Sequence, residues 1–229
     1  MSPSTRKVLI TGCSDGGLGA ALAFAFHEAG LEVYATARDP SKTLEVASQG
    51  IKTLCLDVQS NSSIAKCVGD IPELDILVNN TGGGYVKQAF LPLLLKSKGM
   101  IVNHTSLASL CTVPLQSAYN AYKAAMASFS DSERLELKPF GGSIYKEAEE
   151  VVGRTIRGAV YEGSGMPSQQ WAKEVVMDIL KSSSPTIWRG AQAWIVRIGR
   201  MLPFGALDST VKKFTGLDEV ERIVEKPNI

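Results

Sequence analysis

The stretch SAYNAYKAA, Ser117 to Ala125, places two tyrosines and a lysine within nine residues. Tyr119 and Lys123 are four apart, a spacing that stacks two side chains on one face of an α-helix. Tyr122 directly precedes Lys123 and is therefore expected to point about 100° away. A free tyrosine titrates near pH 10, so proton donation at neutral pH is helped by a cation that stabilises the phenolate. Lys123 has the reach and the sign, and Tyr119 is the predicted acid. Chemistry that builds negative charge on a carbonyl oxygen needs a further donor to hold that oxygen. Ser106 stands at the carboxyl end of a predicted strand, the edge of an open parallel sheet where ligands bind. Thr105 and Ser109 meet the same description, and alternation along the strand does not separate the three.

A second constellation lies near the amino terminus. TGCSDGGLGAALA places Gly12, Gly16, Gly17 and Gly19 where a strand turns into a helix, so that backbone amides at a helix N-terminus can meet a pyrophosphate. The position after the first strand gives this glycine pattern its weight. At the end of the next strand an acid would bond an adenosine ribose 2′-hydroxyl, whereas a base accommodates a 2′-phosphate. Arg38 occupies that place and Asp39 follows it. Arg38 favours NADPH, and Asp39 pulls the other way.

These residues need a scaffold, and the apolar pattern supplies one. KVLIT (7–11), LEVYATA (31–37), IKTLCLDV (51–58), LDILVNN (74–80) and GMIVNHTS (99–106) read as five strands, with an alanine-rich helix over 19–30 closed by glycine. Continuous apolar strands separated by helices predict parallel pairing with both faces covered, hence an α/β fold with a doubly wound, Rossmann-like sheet.

Composition limits the alternatives. The chain has 229 residues, 45% apolar and 21% charged, with a net charge of +1. It reads as a single dinucleotide-binding domain over 1–229, with 143–229 as its C-terminal, substrate- or membrane-facing extension. The charge balance argues against nucleic acid as a partner. No apolar leader precedes the first strand, and no run reaches the roughly eighteen apolar residues of a membrane span, so a cytoplasmic protein is expected. Cys13, Cys55, Cys67 and Cys111 form no CxxC pair, and with His27 and His104 as the two imidazoles, zinc-ligand spacing is lacking; reduced, mostly buried thiols are expected.

Taken in order, TGCSDGGLG, the LDV of Leu56 to Val58, NNTG of Asn79 to Gly82, Ser106 and the YxxxK of Tyr119 and Lys123 resemble the short-chain dehydrogenase/reductase family. The resemblance implies NADPH- or NADH-dependent interconversion of a ketone and an alcohol. It gives Tyr119 the proton, Ser106 the carbonyl, and Lys123 both the tyrosine pKa and the nicotinamide ribose. Gly12, Ser14, Leu18, Gly19, Arg38, Asp57 and Asn80 then line the rest of the cofactor. More narrowly, QAFLPLLLKSKGMIVNHTS, LELKPFG and the tail with MPSQQWAKEVVMDIL and TIWRGAQAWIVRIGRMLPF are similar to fungal 1-acyldihydroxyacetone-phosphate reductases and their relatives in secondary metabolism. That likeness implies a small ketone or acyl-lipid substrate and a place at the surface of the endoplasmic reticulum or lipid droplets.

Two departures stand out. After NNTGGGY the chain passes straight to VKQAFLPLLL, which leaves a helix of about Val86 to Lys96, barely enough for a parallel crossover. The asparagine of the family's proton relay has no counterpart there. After LELKPFG a β-branched sixth strand is expected, but GSIYKEAEEVV reads as charged and helical. A chain missing that strand would expose the flank of strand five and fold poorly or pair with a second copy, and a catalytically inactive dinucleotide-binding scaffold or sensor is the alternative to an enzyme. Finally, from Trp188 to Leu202 apolar residues recur at three and four, with Arg189, Arg197 and Arg200 opposite, the pattern of a basic amphipathic helix that lies on a membrane or packs on the domain. Ile187 belongs equally well to a last strand, TIW.

Overall fold

The computed structural model describes residues 5–81, 84–110, 113–137, 143–149, 166–181 and 186–189. Among them run the strands β1 (Lys7–Thr11), β2 (Glu32–Ala37), β3 (Lys52–Cys55), β4 (Ile76–Asn79), β5 (Met100–His104), β6 (Ser143–Glu149) and β7 (Thr186–Arg189). The helices are α1 (Leu18–Glu28), α2 (Leu44–Ser48), α3 (Asn61–Gly69), α4 (Gly84–Ser97), α5 (Ser117–Leu137) and α6 (Ser168–Lys181). The strands form one sheet in the order β3-β2-β1-β4-β5-β6-β7. Every pairing from β3 to β6 is parallel. The order reverses between β1 and β4, the switch point at which doubly wound sheets bind their ligands.

Val8, Leu9 and Ile10 have no exposed surface, as expected of a central strand covered on both faces. Helix α1 presents Ala20, Ala21, Ala23 and Ala25 at buried positions beside Leu22 and Phe26, and the small side chains let it lie close to its neighbours. It ends in a Schellman arrangement: the Leu31 N–H donates to the Phe26 carbonyl at 3.1 Å and the Gly30 N–H to that of His27 at 2.9 Å, with Gly30 at φ +83°. Helix α6 packs against α1 and buries Trp171, Ala172, Val175, Val176 and Ile179, a stripe of helical period.

The crossover from β4 to β5 is made by α4, 14 residues long with Pro92 inside it. Val86, Phe90 and Leu94, spaced by four, are buried in one cluster with Leu77 of β4 and Ile101 of β5. Burying each such side chain is worth about 1.5–3 kcal/mol, which offsets the cost of a proline in so short a helix. Residues 143–149 correct the expectation of a helical, charged segment. They form β6, in parallel register with β5 from Met100↔Ser143 to His104↔Glu147, so the sixth strand is present. The cause is non-local. One flank of β5 carries backbone donors and acceptors that need partners, and this requirement outweighs the weak strand propensity of lysine and glutamate.

Thr186 to Arg189 form β7, so Trp188 and Arg189 belong to a strand, as the TIW alternative has it. Residues 190–202 of the proposed amphipathic stripe lie outside the described residues. No helix among the described residues is long and apolar enough to cross a membrane. Of the described residues, those up to His104 with Phe129–Glu147 and Pro167–Ile187 form one compact unit, and Thr105–Ser128 belong to a second.

Candidate functional site

In the first unit the turn after β1 is held by β4. The Thr11 hydroxyl oxygen accepts from the backbone N–H groups of Asn80 and Thr81, both at 3.1 Å. The Asn80 Nδ2 donates to the carbonyls of Thr11 at 2.9 Å and Gly12 at 3.1 Å. Gly12 has φ +74°, and a Cβ there would lie 2.1 Å from Thr81 Cγ2. A Cβ on Gly19 would lie 2.3 Å from the Gly12 carbonyl oxygen and 2.8 Å from Asn80 Nδ2. Glycine is therefore required at both positions, by conformation at the first and by close approach at the second. Gly17 caps α1 without a side chain, leaving the first-turn amides available to an anion. Cys13 takes no part in chemistry here: its thiol is fully buried, and desolvation pushes its pKa up to about 12.

Beside this turn opens a cavity of about 580 Å³ whose walls include Gly12, Ser14, Arg38, Lys42, Asp57 and Thr81. Four predicted cofactor residues thus meet at one cavity, while Asn80 is tied to it through the Gly12 carbonyl and Leu18 and Gly19 begin α1. Asp39 also lines this cavity, and one of its carboxylate oxygens is engaged locally. It caps the 3₁₀ turn Pro40–Lys42, with Oδ1 accepting from the Ser41 N–H at 3.0 Å and the Ser41 hydroxyl at 2.7 Å, and these bonds hold its pKa below the usual carboxylate range. Asp57 is anchored through its N–H on the Ser63 hydroxyl at 2.9 Å, and its Oδ1 accepts from the Gln59 N–H at 2.9 Å.

Two residues of this region escaped the sequence reading. Lys42 lines the same cavity as Arg38. Asp15 fixes where Lys42 stands: its N–H donates to the Lys42 carbonyl at 2.7 Å, while its carboxylate accepts from the N–H groups of Glu45 at 3.1 Å and Val46 at 3.3 Å in the first turn of α2. The glycine-rich turn and the basic segment are thereby one rigid piece.

In the second unit Ser106 is fully buried, and its Oγ accepts from the Ala108 N–H at 3.2 Å, capping the 3₁₀ turn Leu107–Ser109. That bond leaves the Ser106 hydroxyl proton available for donation. The Ser109 hydroxyl is spent on the Ser106 carbonyl at 2.6 Å, which separates these two candidates. Tyr119 and Lys123 share a face of α5, with Lys123 Nζ 5.8 Å from the Tyr119 ring centroid and the lysine 9% exposed. The same nitrogen stands 5.9 Å from the Tyr122 ring, so Tyr122 is less remote than its place on the helical wheel predicts. Burial pushes the Tyr122 hydroxyl above its ordinary pKa, the wrong direction for an acid at neutral pH.

The short chain dehydrogenase family model matches residues 6–90 and 84–146. A short-chain dehydrogenase/reductase of Pestalotiopsis microspora is 43% identical over 279 residues, covering 98% of this chain and 99% of that protein. The chain belongs to the short-chain dehydrogenase family of oxidoreductases. An NADPH-dependent 1-acyldihydroxyacetone phosphate reductase of Schizosaccharomyces pombe is 36% identical over 166 residues, 59% of this chain and 56% of its own length. Among solved structures, a short chain dehydrogenase from Burkholderia cenocepacia in complex with NADP shares the fold, with a TM-score of 0.74 at 21% identity over 92% of this chain and 99% of that one. The two family matches meet at the start of α4, where NNTGGGY runs into VKQAF. The Pestalotiopsis alignment is longer than the whole 229-residue chain, so that relative carries residues this chain lacks.

Proposed function

We propose that the protein is an NADPH-dependent reductase of a ketone, with a small carbonyl compound or an acyl-lipid such as 1-acyldihydroxyacetone phosphate as substrate. One observation carries the cofactor choice. Asp39, Arg38 and Lys42 all line the cavity beside the glycine-rich turn, but the acid that would favour NADH has one carboxylate oxygen engaged as a cap, so two basic side chains stand against one partly engaged acid. Gly12 and Gly19 fit a dinucleotide site because their missing side chains let the turn after β1 pack tightly against Thr81 and Asn80, which places backbone amides at the start of α1 where a pyrophosphate would approach. Arg38 and Lys42 would hold the 2′-phosphate, Asp57 the adenine side, and the first amides of α1 the pyrophosphate.

A reduced nicotinamide supplies hydride to a carbonyl carbon. Ser106 donates its hydroxyl proton in a hydrogen bond to the carbonyl oxygen and holds it as charge develops. Tyr119 transfers its phenolic proton to that oxygen, and the Lys123 ammonium stabilises the phenolate left behind. Tyr119→Phe should lower turnover by at least about a hundredfold with NADPH affinity within a few-fold of wild type; full activity in that variant would overturn the assignment. The interrupted family pattern at α4 favours a second reading, an inactive dinucleotide-binding scaffold or sensor. NADPH binding without oxidation across a panel of ketones, acyl-dihydroxyacetone phosphate included, would select it.

A further inference from the structure

His104 closes β5 and is 5% exposed, after the buried Ile101, Val102 and Asn103 of the same strand. A polar ring in such a place costs desolvation unless it makes a specific bond. Its Nδ1 lies 2.9 Å from Asn80 Oδ1, and its ring packs against Trp171 of α6 with centroids 5.4 Å apart.

The orientation of the Asn80 amide follows from its other contacts. Its second terminal atom faces two carbonyl oxygens, those of Thr11 at 2.9 Å and Gly12 at 3.1 Å. An oxygen there would be repelled by both, so that atom is the NH₂ group, and Oδ1 must face His104. A carbonyl oxygen only accepts. His104 Nδ1 therefore carries the hydrogen, and the imidazole is locked as the Nδ1–H donor whether or not Nε2 is also protonated.

The geometry points to His104 as a positioning residue for the dinucleotide-binding turn: its Nδ1–H holds the Asn80 amide in the one orientation that grips the Thr11 and Gly12 carbonyls. The Gly12–Cys13 peptide is then fixed at both ends, its carbonyl by Asn80 and its N–H by the Thr36 carbonyl at 2.7 Å. Without the histidine donor, the partly buried Asn80 Oδ1 loses that partner, the amide gains freedom to turn, and the turn must be reordered each time a dinucleotide binds. The inference rests on the cavity being a dinucleotide site.

Three substitutions separate this role from packing. Asn places an N–H where His104 has Nδ1, Gln places one nearer Nε2, and Leu keeps apolar contact with Trp171 but donates nothing. Hydrogen exchange without nucleotide should be faster across residues 11–19 in His104→Leu and His104→Gln than in wild type or His104→Asn, with residues 52–70 unchanged in all. NADPH affinity should fall roughly tenfold for Leu and Gln, the size expected from one lost, partly buried hydrogen bond, and stay within about threefold for Asn. Wild-type affinity and exchange in His104→Leu, or indistinguishable behaviour of Asn and Gln, would overturn the proposal. A wild-type protein that binds no nicotinamide dinucleotide would instead sink the cofactor reading, and the exchange comparison would still decide the role of His104.

Discussion

The Asp39 carboxylate accepts both the N–H and the hydroxyl of Ser41, two residues ahead of it, and this pair bears on the proposed preference for NADPH. An acid after β2 ordinarily argues for a ribose 2′-hydroxyl. Here its oxygen is turned into the 3₁₀ turn that carries Lys42. Lys42→Ala should weaken NADPH binding roughly tenfold and leave NADH unchanged, and Arg38→Ala should do the same or more, as expected for charged contacts to phosphate. The NADPH preference should also shrink with added salt. Titration of both nucleotides into each variant checks this, and an equal loss for NADH would remove Lys42 from the 2′-phosphate.

Gly19 tests the turn itself. Its absent side chain is replaced by the Gly12 carbonyl and the Asn80 amide, neither of which can move without breaking the bonds that hold β1 to β4. Gly19→Ala should cost about 1–3 kcal/mol in urea unfolding and weaken NADPH binding as well. Gly69→Ala is the control, because nothing stands within 4 Å of a Cβ there; that variant should unfold at the wild-type midpoint or slightly above it.

What could be read from the sequence was what local pattern determines. Val8, Leu9 and Ile10 form an unbroken apolar run, Gly30 closes α1, and Tyr119 and Lys123 share a face because a helix puts them there. What escaped depends on partners far along the chain. The strand at 143–149 exists because β5 has a flank to satisfy, although its lysine and glutamates give no sign of it. His104 gains meaning only when the β4 and β5 register brings it to Asn80, 24 residues away. The commitment of Asp39 was nearer to hand, since Asp-Pro-Ser is a capping sequence in which the carboxylate reaches the N–H two residues on.

Beside the edge strand β3, Glu32 of β2 responds to pH. Lys52 first, at 2.6 Å, and then the Tyr34 hydroxyl, at 2.7 Å, hydrogen-bond its carboxylate and hold its pKa below the ordinary glutamate value. A depressed folded-state pKa contributes stability that is present above the unfolded value, near 4, and is lost as pH falls through the folded one. Glu32→Gln should therefore melt about 1–3 °C below wild type at pH 7, with the gap closing as the pH drops below 4. A gap of constant size down to pH 2 would show that the charge is irrelevant.

Helices α4 and α5 are joined by a buried ion pair between Lys87 and Glu133, whose side chains are 15% and 1% exposed. The second carboxylate oxygen accepts from Asn103 Nδ2 at 3.3 Å, Asn103 also donates to the Ser130 hydroxyl at 3.1 Å, and Asn79 donates to Asn103 Oδ1 at 2.8 Å. The Lys87 ammonium lies over the Phe129 ring, with Nζ 4.8 Å from its centroid. Such a pair pays a desolvation cost close to its Coulombic gain, so its loss matters chiefly through what it leaves behind. Lys87→Met takes the cation of the shortened crossover away from the buried Glu133 carboxylate of α5 and should destabilise by about 3–5 kcal/mol. Adding Glu133→Gln removes the charge, keeps an amide for the Asn103 network, and should recover more than half of that loss. Urea unfolding of the two single variants and the double variant reads the coupling directly, and additive losses would mean that the ion pair does not exist in solution.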